Sequence, residues 1–401
     1  MIEGDSRIGR REFIPMIAAI MALTALSIDL MLPALDEMRE AFGLGDASPE
    51  ITQVITVFFF GLAVGQLLWG PLSDRFGRKP VLAASLFVYV VAAIGSALAP
   101  SLWLVLVGRF VWALGASGCR TIAVAVVRDV LEGDAMARAM SVIMAVFMVV
   151  PIFAPSLGSA IIAFLPWQAT FWACALGGTA VWLWTTRLPE TLAPEHRRPL
   201  ELTTLLDGAK RVATTPMTVY ATLASLFLQG VMTAWLATSE LIIGEIFDRR
   251  SQFPFFFGGI ALLFAAGALL NGWAVTRIGM RRVVRQIIFA PVIGAAVLVA
   301  ISASADGKPN IWVFMPVLGL AMGTFTFLMP NLNTLSLEPM GDMAGLASSL
   351  TSAIRLAGGS FLGWIVASTI ETSVTPFAVA LLVLALLTAA AALPAIAQPS
   401  D

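Results

Sequence analysis

The chain has 401 residues, of which 59% are hydrophobic and 12% charged, and its mean hydropathy is +0.90. These values exclude an ordinary soluble globular domain, in which about 25% of residues are charged. The 24 Lys and Arg nearly balance the 25 Asp and Glu, so the net charge indicates neither a nucleic-acid partner nor an acidic one. Lipid is therefore the expected solvent.

Twelve apolar runs are long enough to cross a bilayer, whose hydrocarbon core of about 30 Å needs roughly 20 helical residues. The first run is too long for the core of a signal peptide, and we expect it to remain as the first span. The sequence thus predicts an all-α membrane protein with twelve transmembrane helices. In chain order the predicted spans are 13–35, 51–72, 80–99, 102–127, 139–164, 167–186, 216–239, 254–275, 283–304, 311–332, 345–370 and 374–396.

Lys and Arg lie mainly on one side of these spans. An even number of spans places both termini on the same side, and the segments on that side contain most of the positive charge. The segments on the opposite side contain only Arg39, Arg249, Arg250 and Lys308. Because cytoplasmic segments retain Lys and Arg, we expect both termini to be cytoplasmic.

The longest polar stretch, 187–215, divides the spans six and six. It predicts an N-terminal six-helix bundle at 1–186, a cytoplasmic linker at 187–215 and a C-terminal six-helix bundle at 216–401. The linker contains His196, the only histidine, which we expect to be solvated. One histidine cannot form a metal cluster, so no metal site is predicted.

Two loops indicate an internal repeat. GPLSDRFGRK at 70–79 aligns with GWAVTRIGMR at 272–281, at an offset of 202 residues, about half the chain. Asp74 has no acidic counterpart, because Thr276 stands there. Repeated halves are common among transporters, so the repeat predicts two related bundles. The matched positions are Gly70, Arg75, Gly77 and Lys79 with Gly272, Arg277, Gly279 and Arg281.

The loop GPLSDRFGRKPVL at 70–82 is similar to the G-x-L-x-D-R-x-G-R-K signature of the major facilitator superfamily. The resemblance implies the superfamily's fold of two pseudo-symmetric six-helix bundles. It also implies that Asp74 forms charge-assisted hydrogen bonds that lock the inward-closed arrangement. The conformational motif then consists of Gly70, Asp74, Arg75, Gly77, Arg78 and Lys79.

The first and fourth spans narrow the resemblance to the twelve-helix drug:proton antiporters of the Bcr/CflA type. LSIDLMLPAL at 26–35 places Asp29 well inside a span, where a charge costs about 2.5–3.5 kcal/mol. LVLVGRFVWALG at 104–115 is similar to R-F-x-Q-A-x-G, with Trp112 in place of the glutamine. The resemblance implies that Asp29 carries the proton and that Arg109 tunes it. A purely structural pairing of Asp29 is the alternative.

The fifth span contains VVPIFAPSLGSA at 149–160, which resembles a motif of exporters in the superfamily. Pro151 and Pro155 remove helical hydrogen bonds, and Gly158 permits close packing against another helix. We expect these three residues to form a seam in the conformational change; a helix that is merely kinked is the alternative. VVRD at 126–129 and the stretch at 329–350 also resemble the antiporter family.

Two further arginines lie within predicted spans. Arg120 follows Arg109 by eleven residues and returns to nearly the same helical face, so both could line one pathway; snorkelling to the interface is the alternative. Arg355 lies near the middle of the eleventh span, and we expect it to face the central cavity and to favour substrates with negative charge or strong hydrogen-bond acceptors. Glu240 and Glu245 end the seventh span, where we expect solvation. The predicted substrate cavity is lined by Asp29, Arg109, Trp112, Arg120 and Arg355.

Together these features predict a proton-coupled antiporter that exports drugs or other small molecules across the bacterial inner membrane. The alternative is a dedicated exporter of one metabolite, such as a siderophore, a sugar or an amino-acid derivative; a transporter-like sensor also stays open. An enzyme is not expected, because the chain has no Walker loop, zinc-binding His pair or G-x-S-x-G elbow. We expect a monomer that uses a proton gradient and no cofactor.

Overall fold

A computed structural model describes residues 9–45, 48–197 and 202–398, and all regular secondary structure in these ranges is helical. Short 3-10 turns and one π-helical turn, Leu241–Ile246, connect the α-helices. The α-helices are α1 Arg10–Asp29, α2 Leu35–Ala41, α3 Gln53–Phe76, α4 Arg78–Ala97, α5 Leu102–Val130, α6 Gly133–Ile162, α7 Gln168–Thr185, α8 Leu202–Thr214, α9 Pro216–Glu240, α10 Phe253–Ile278, α11 Met280–Ile287, α12 Ala290–Ala303, α13 Ile311–Gly323, α14 Phe325–Leu337, α15 Ala344–Ala367 and α16 Thr375–Ala397.

Eleven segments of the described chain are long and apolar enough to cross a membrane, and each coincides with a predicted span. The remaining predicted span, the sixth, is α7. Its 18 residues correspond to about 27 Å of helix. The sequence of α7 contains Gln168 and three threonines among its apolar residues.

Proline explains where α1 ends. Pro33 has no backbone N–H, and its ring would clash with the carbonyl of residue 29 if the helix continued. α1 therefore ends at Asp29, and a 3-10 turn over Leu32–Ala34 leads into α2. The proline of LSIDLMLPAL thus places the acidic residue at the C-terminal end of a helix.

The chain forms two compact units. The first comprises the described residues up to Met38 together with Val57–Leu202, and the second comprises Arg39–Thr56 together with the described residues from Thr203 onward. In the first unit, α4 packs against α5 and α7, and α1 packs against α5 and α6. In the second, α9 packs against α14, α15 and α16.

The stretch predicted as a linker contains helix α8, and the chain passes from the first unit to the second at Leu202. The side chain of His196 lies outside the described residues. The division of the chain at 186 and 216 stays a prediction.

The repeated loops adopt the same backbone conformation. Gly77 precedes α4 with φ 101° and ψ 158°, and Gly279 precedes α11 with φ 83° and ψ 150°. Only glycine adopts this region without strain. The two glycines that the 202-residue alignment pairs therefore perform the same turn.

Candidate functional site

Asp29 is the last residue of α1 and is 4% exposed. No hydrogen bond or ion pair to its side chain is found among the residues that the structure describes. The carbonyl groups of the last helical turn also lack helical N–H partners, so the end of α1 carries partial negative charge. The carboxyl group thus lies in a span with no positive group in contact.

Arg109 lies on α5 and is 0% exposed. Its Nη1 donates a hydrogen bond of 2.8 Å to the carbonyl oxygen of Ser27, in the last turn of α1. Its guanidinium carbon lies 4.0 Å from the centre of the Phe58 ring and 5.0 Å from that of Trp112. Arg109 therefore provides the donor and the positive charge that the C-terminal end of α1 requires.

Asp29 and Arg109 both lie at this helix end, but no hydrogen bond or ion pair joins their side chains. Arg109 binds the backbone of Ser27, two residues before Asp29. The structure thus connects the two residues through the end of α1 rather than by an ion pair. Arg109 can affect Asp29 by holding this helix end in place.

Trp112 lies in a cluster of aromatic rings around Arg109. Its indole ring makes edge-to-face contacts with Phe58, Tyr89 and Phe171, at centroid distances of 5.4 to 6.3 Å. Its N–H finds no acceptor among the described residues. Trp112 therefore contacts Arg109 through its ring, by a cation–π interaction.

Ser27 and Tyr89, which were not predicted from the sequence, join α1 to α4 beside Arg109. The Ser27 hydroxyl donates to the Tyr89 oxygen at 2.8 Å, and the Tyr89 hydroxyl donates to the carbonyl of Leu23 at 3.2 Å. Tyr89 is one of only two tyrosines in the chain and lies inside an apolar run. A phenol in such a run usually has a polar partner, and that signal was available.

Gly158 of α6 contacts the chain just after Asp29. A Cβ atom at this position would lie 2.1 Å from the carbonyl oxygen of Leu30 and 3.3 Å from Cδ of Pro33. Pro151 and Pro155 lie inside the same helix, as predicted. The exporter-like motif of the fifth span is therefore packed directly against the turn that contains Asp29.

Arg120 and Arg355 are both half-exposed. Arg355, on α15, donates a hydrogen bond of 2.9 Å from Nη1 to Oε1 of Gln229, a buried residue of α9. The guanidinium carbon of Arg120 lies 5.8 Å from the centre of the Phe147 ring, on α6. Gln229 was missed, although a glutamine within a long apolar run is itself a signal for a polar site.

The residues of the 70–79 loop form a network around Arg78. Its guanidinium pairs with Asp74, donates from Nε to Asp129 at 2.9 Å and from Nη1 to the Ser73 hydroxyl at 2.8 Å. Asp129 belongs to the VVRD stretch at the end of α5. Outside this network, Lys79 donates to the carbonyl of Thr186 at 3.0 Å, and Arg75 is exposed.

Glu190 binds the start of α4, a role that the sequence analysis did not predict. Its carboxylate accepts hydrogen bonds from the backbone N–H groups of Arg78 at 2.8 Å and Lys79 at 3.2 Å. A Cβ atom at Gly77 would lie 2.4 Å from Glu190 Oε2. Gly77 is thus required twice, for its positive φ and for the space that the carboxylate occupies.

We expect Glu190→Ala to lower the free energy of unfolding by about 1–2 kcal/mol, because it removes a capping carboxylate from a helix N-terminus. The midpoint of thermal unfolding in detergent measures this effect. Glu195→Ala is the matched control, since Glu195 is exposed a few residues further along the chain. Equal midpoints for the two variants would show that the cap does not stabilise the protein.

The expectation of solvation at the end of the seventh span was wrong for Glu240, which is 3% exposed. Its carboxylate pairs with Arg39 at 3.2 Å, and the same arginine pairs with Glu245 at 3.2 Å. Arg250 also pairs with Glu245. The π-helical turn Leu241–Ile246 explains this geometry: residues five apart lie about 140° apart on an α-helix but closer together on a π-helix.

Breaking the buried ion pair between Arg39 and Glu240 is expected to destabilise the protein. We expect Arg39→Met to reduce the free energy of unfolding by about 3–5 kcal/mol, because it removes the closer of the two arginines that pair with the buried Glu240 carboxylate and leaves only Arg250, at 3.9 Å. The double variant with Glu240→Met should recover part of this loss in a thermal unfolding experiment. Arg249→Met, at an exposed neighbouring arginine, is the control. A double variant no more stable than Arg39→Met would argue against the explanation.

Comparison with known proteins extends over most of the chain. Residues 17–363 match the family model described as Major Facilitator Superfamily. A bicyclomycin resistance protein homolog of Haemophilus influenzae is 29% identical over 361 residues, 89% of each chain. The multidrug resistance protein MdtL of Shigella flexneri is 26% identical, over 87% of this chain and 86% of that protein. The resemblance to drug-resistance proteins found in the sequence is thereby confirmed.

The fold is also found among solved structures. A D-xylose-proton symporter superimposes with a TM-score of 0.76, over 94% of this chain and 97% of that one, at 14% sequence identity. At this identity the match concerns the fold alone, and it confirms the predicted all-helical architecture.

Proposed function

Because this chain belongs to the major facilitator superfamily, a family of transporters and not of enzymes, we propose that it is a proton-coupled antiporter that exports small molecules. The drug-resistance names of its relatives favour export as the direction. The excess of Lys and Arg on one side favours a bacterial inner-membrane protein with both termini in the cytoplasm. Monomeric function is part of the proposal.

The observation that supports proton coupling is the position of Asp29. Its carboxyl group is buried at the end of α1, with no counter-charge in contact among the described residues. Loss of a proton creates a charge in a span, which is costly, and gain of a proton removes it. The protonated form of Asp29 is therefore stable when it is buried, whereas the ionised form is more stable in contact with water.

This difference can drive alternating access. A ligand shifts a conformational equilibrium only by its differential affinity for the two states. A proton bound at Asp29 favours the state in which the carboxyl group is buried, and its release favours a state in which water reaches the group. Arg109 acts in this scheme by fixing the end of α1 through Ser27.

A dedicated exporter of one metabolite is the second candidate. The pairing of Arg355 with Gln229 favours it, because a fixed polar group in a span recognises specific partners rather than many apolar drugs. A transporter of one compound is expected to give no broad drug resistance when overproduced.

The test is reconstitution in liposomes with an imposed pH gradient. Neutral, cationic and anionic compounds are loaded, and export is followed with and without an ionophore that collapses the gradient. We expect export of at least one class to require the gradient. Export that continues unchanged after collapse would rule out proton coupling, and absence of any flux would favour a sensor.

A further inference from the structure

Arg120 lies deep within a membrane-spanning helix. Along the helix axis, Arg120 lies about 27 Å from the first residue of α5 and about 15 Å from the last, at the helical rise of 1.5 Å per residue. Its Cα is therefore about 6 Å from the midpoint of α5 along the helix axis, within the half-thickness of a bilayer core of about 30 Å. A cation at this depth is costly unless something binds it.

Two other arginines on helices of the first unit have such a partner. Arg78 pairs with Asp74 and Asp129, and Arg109 donates to the carbonyl of Ser27. For Arg120, no ion pair or hydrogen bond occurs within the described ranges 9–45, 48–197 and 202–398. The ring of Phe147 covers one face of the guanidinium in a cation–π contact. This contact involves no hydrogen bond, so it leaves the N–H donors available.

The side chain is also partly accessible. Arg120 is half-exposed, whereas Arg109, three turns earlier on the same helix, is fully buried. An always-charged, planar group with five N–H donors matches the two oxygens of a carboxylate or the oxygens of a sulfonate or phosphate. The ring of Phe147 limits the orientations that the guanidinium can adopt. The arrangement thus has the chemistry of an anion-binding group.

We propose that Arg120 binds the negatively charged group of the exported substrate, so that the substrate class is organic anions with a carboxylate, sulfonate or phosphate. This inference rests on the proposed export function and adds a substrate class to it. The competing explanation is a side chain that only extends toward the bilayer surface. That explanation predicts no dependence on the charge of the substrate.

The experiment compares substrates that differ only in charge. Aryl carboxylates, their neutral primary amides and the corresponding cationic amines are each tested for export from liposomes driven by a pH gradient. We expect the wild-type protein to prefer the carboxylates. Arg120→Gln should slow carboxylate export about tenfold or more, since hydrogen bonds between charged groups contribute this much to binding.

Two further variants separate recognition from structure. Arg120→Lys keeps the charge but loses the two-pronged geometry, and its carboxylate export should lie between those of wild type and Arg120→Gln. Arg128→Gln is the matched control, because Arg128 lies on the same helix and is exposed. It should export carboxylates as the wild type does. Amide export should stay within about twofold of wild type in all three variants. A neutral amide forms no ion pair with Arg120, so its binding does not depend on the charge at that position.

Several results would overturn the proposal. These are equal losses for carboxylates and amides in Arg120→Gln, no effect of that substitution, or a wild-type preference for amines or amides. If the gradient drives no export of any compound, the proposed function fails instead. The role of Arg120 is then tested by binding. Aryl carboxylates should raise the thermal unfolding midpoint of the purified wild-type protein but not that of Arg120→Gln. If they raise neither midpoint, Arg120 does not bind the anionic group.

Discussion

Asp29→Asn is expected to reduce export driven by a pH gradient to the level of empty liposomes, while the protein still inserts and folds. Asparagine has nearly the shape of the protonated acid but cannot release a proton. The substitution removes no ion pair or hydrogen bond to a described residue, so the thermal unfolding midpoint should change little. Gradient-driven flux and the unfolding midpoint are the two measurements.

Exchange of substrate without a pH gradient separates coupling from transport. The Asp29→Asn variant should still exchange labelled for unlabelled substrate, because that reaction requires no net proton movement. Asp306→Asn is the control. Asp306 is exposed and has a φ of 48°, a conformation that asparagine also tolerates. Undiminished gradient-driven export by Asp29→Asn would show that the proton binds elsewhere.

Gly158→Ala is expected to abolish export and to lower the free energy of unfolding by about 1–3 kcal/mol, the usual cost of overpacking. The new methyl group would lie 2.1 Å from the carbonyl oxygen of Leu30, a backbone atom that cannot rotate away. α6 must therefore move away from the turn that follows Asp29. Both the position of this turn and the packing of α1 against α6 then change.

Export assays and thermal unfolding of the same preparation test this prediction. Gly177→Ala provides the control, because Gly177 is also helical and a Cβ atom there meets only one side-chain carbon, at 4.0 Å. That variant should export and unfold like the wild type. A Gly158→Ala protein with normal export would mean that α1 and α6 do not need this close contact.

The sequence by itself determined the spans, because the thickness of a bilayer sets how many consecutive residues must be apolar, and this is a local property. It also determined three turns. Pro33 ends α1 next to Asp29, and Gly77 and Gly279 adopt matching positive φ values at the repeated loops. The missing N–H of proline and the missing Cβ of glycine change the backbone only within a few residues. Their effect can therefore be predicted from the sequence alone.

Only the tertiary structure decided which groups meet. Arg109 binds a carbonyl 82 residues away, Arg355 binds Gln229 at a separation of 126, and Glu190 caps a helix that starts 112 residues earlier. The expectation for Glu240 failed because Glu240 packs beside Arg39, which lies 201 residues away in the chain. Such contacts depend on how each helix is rotated and packed, and hydropathy along the chain contains almost no information about rotation.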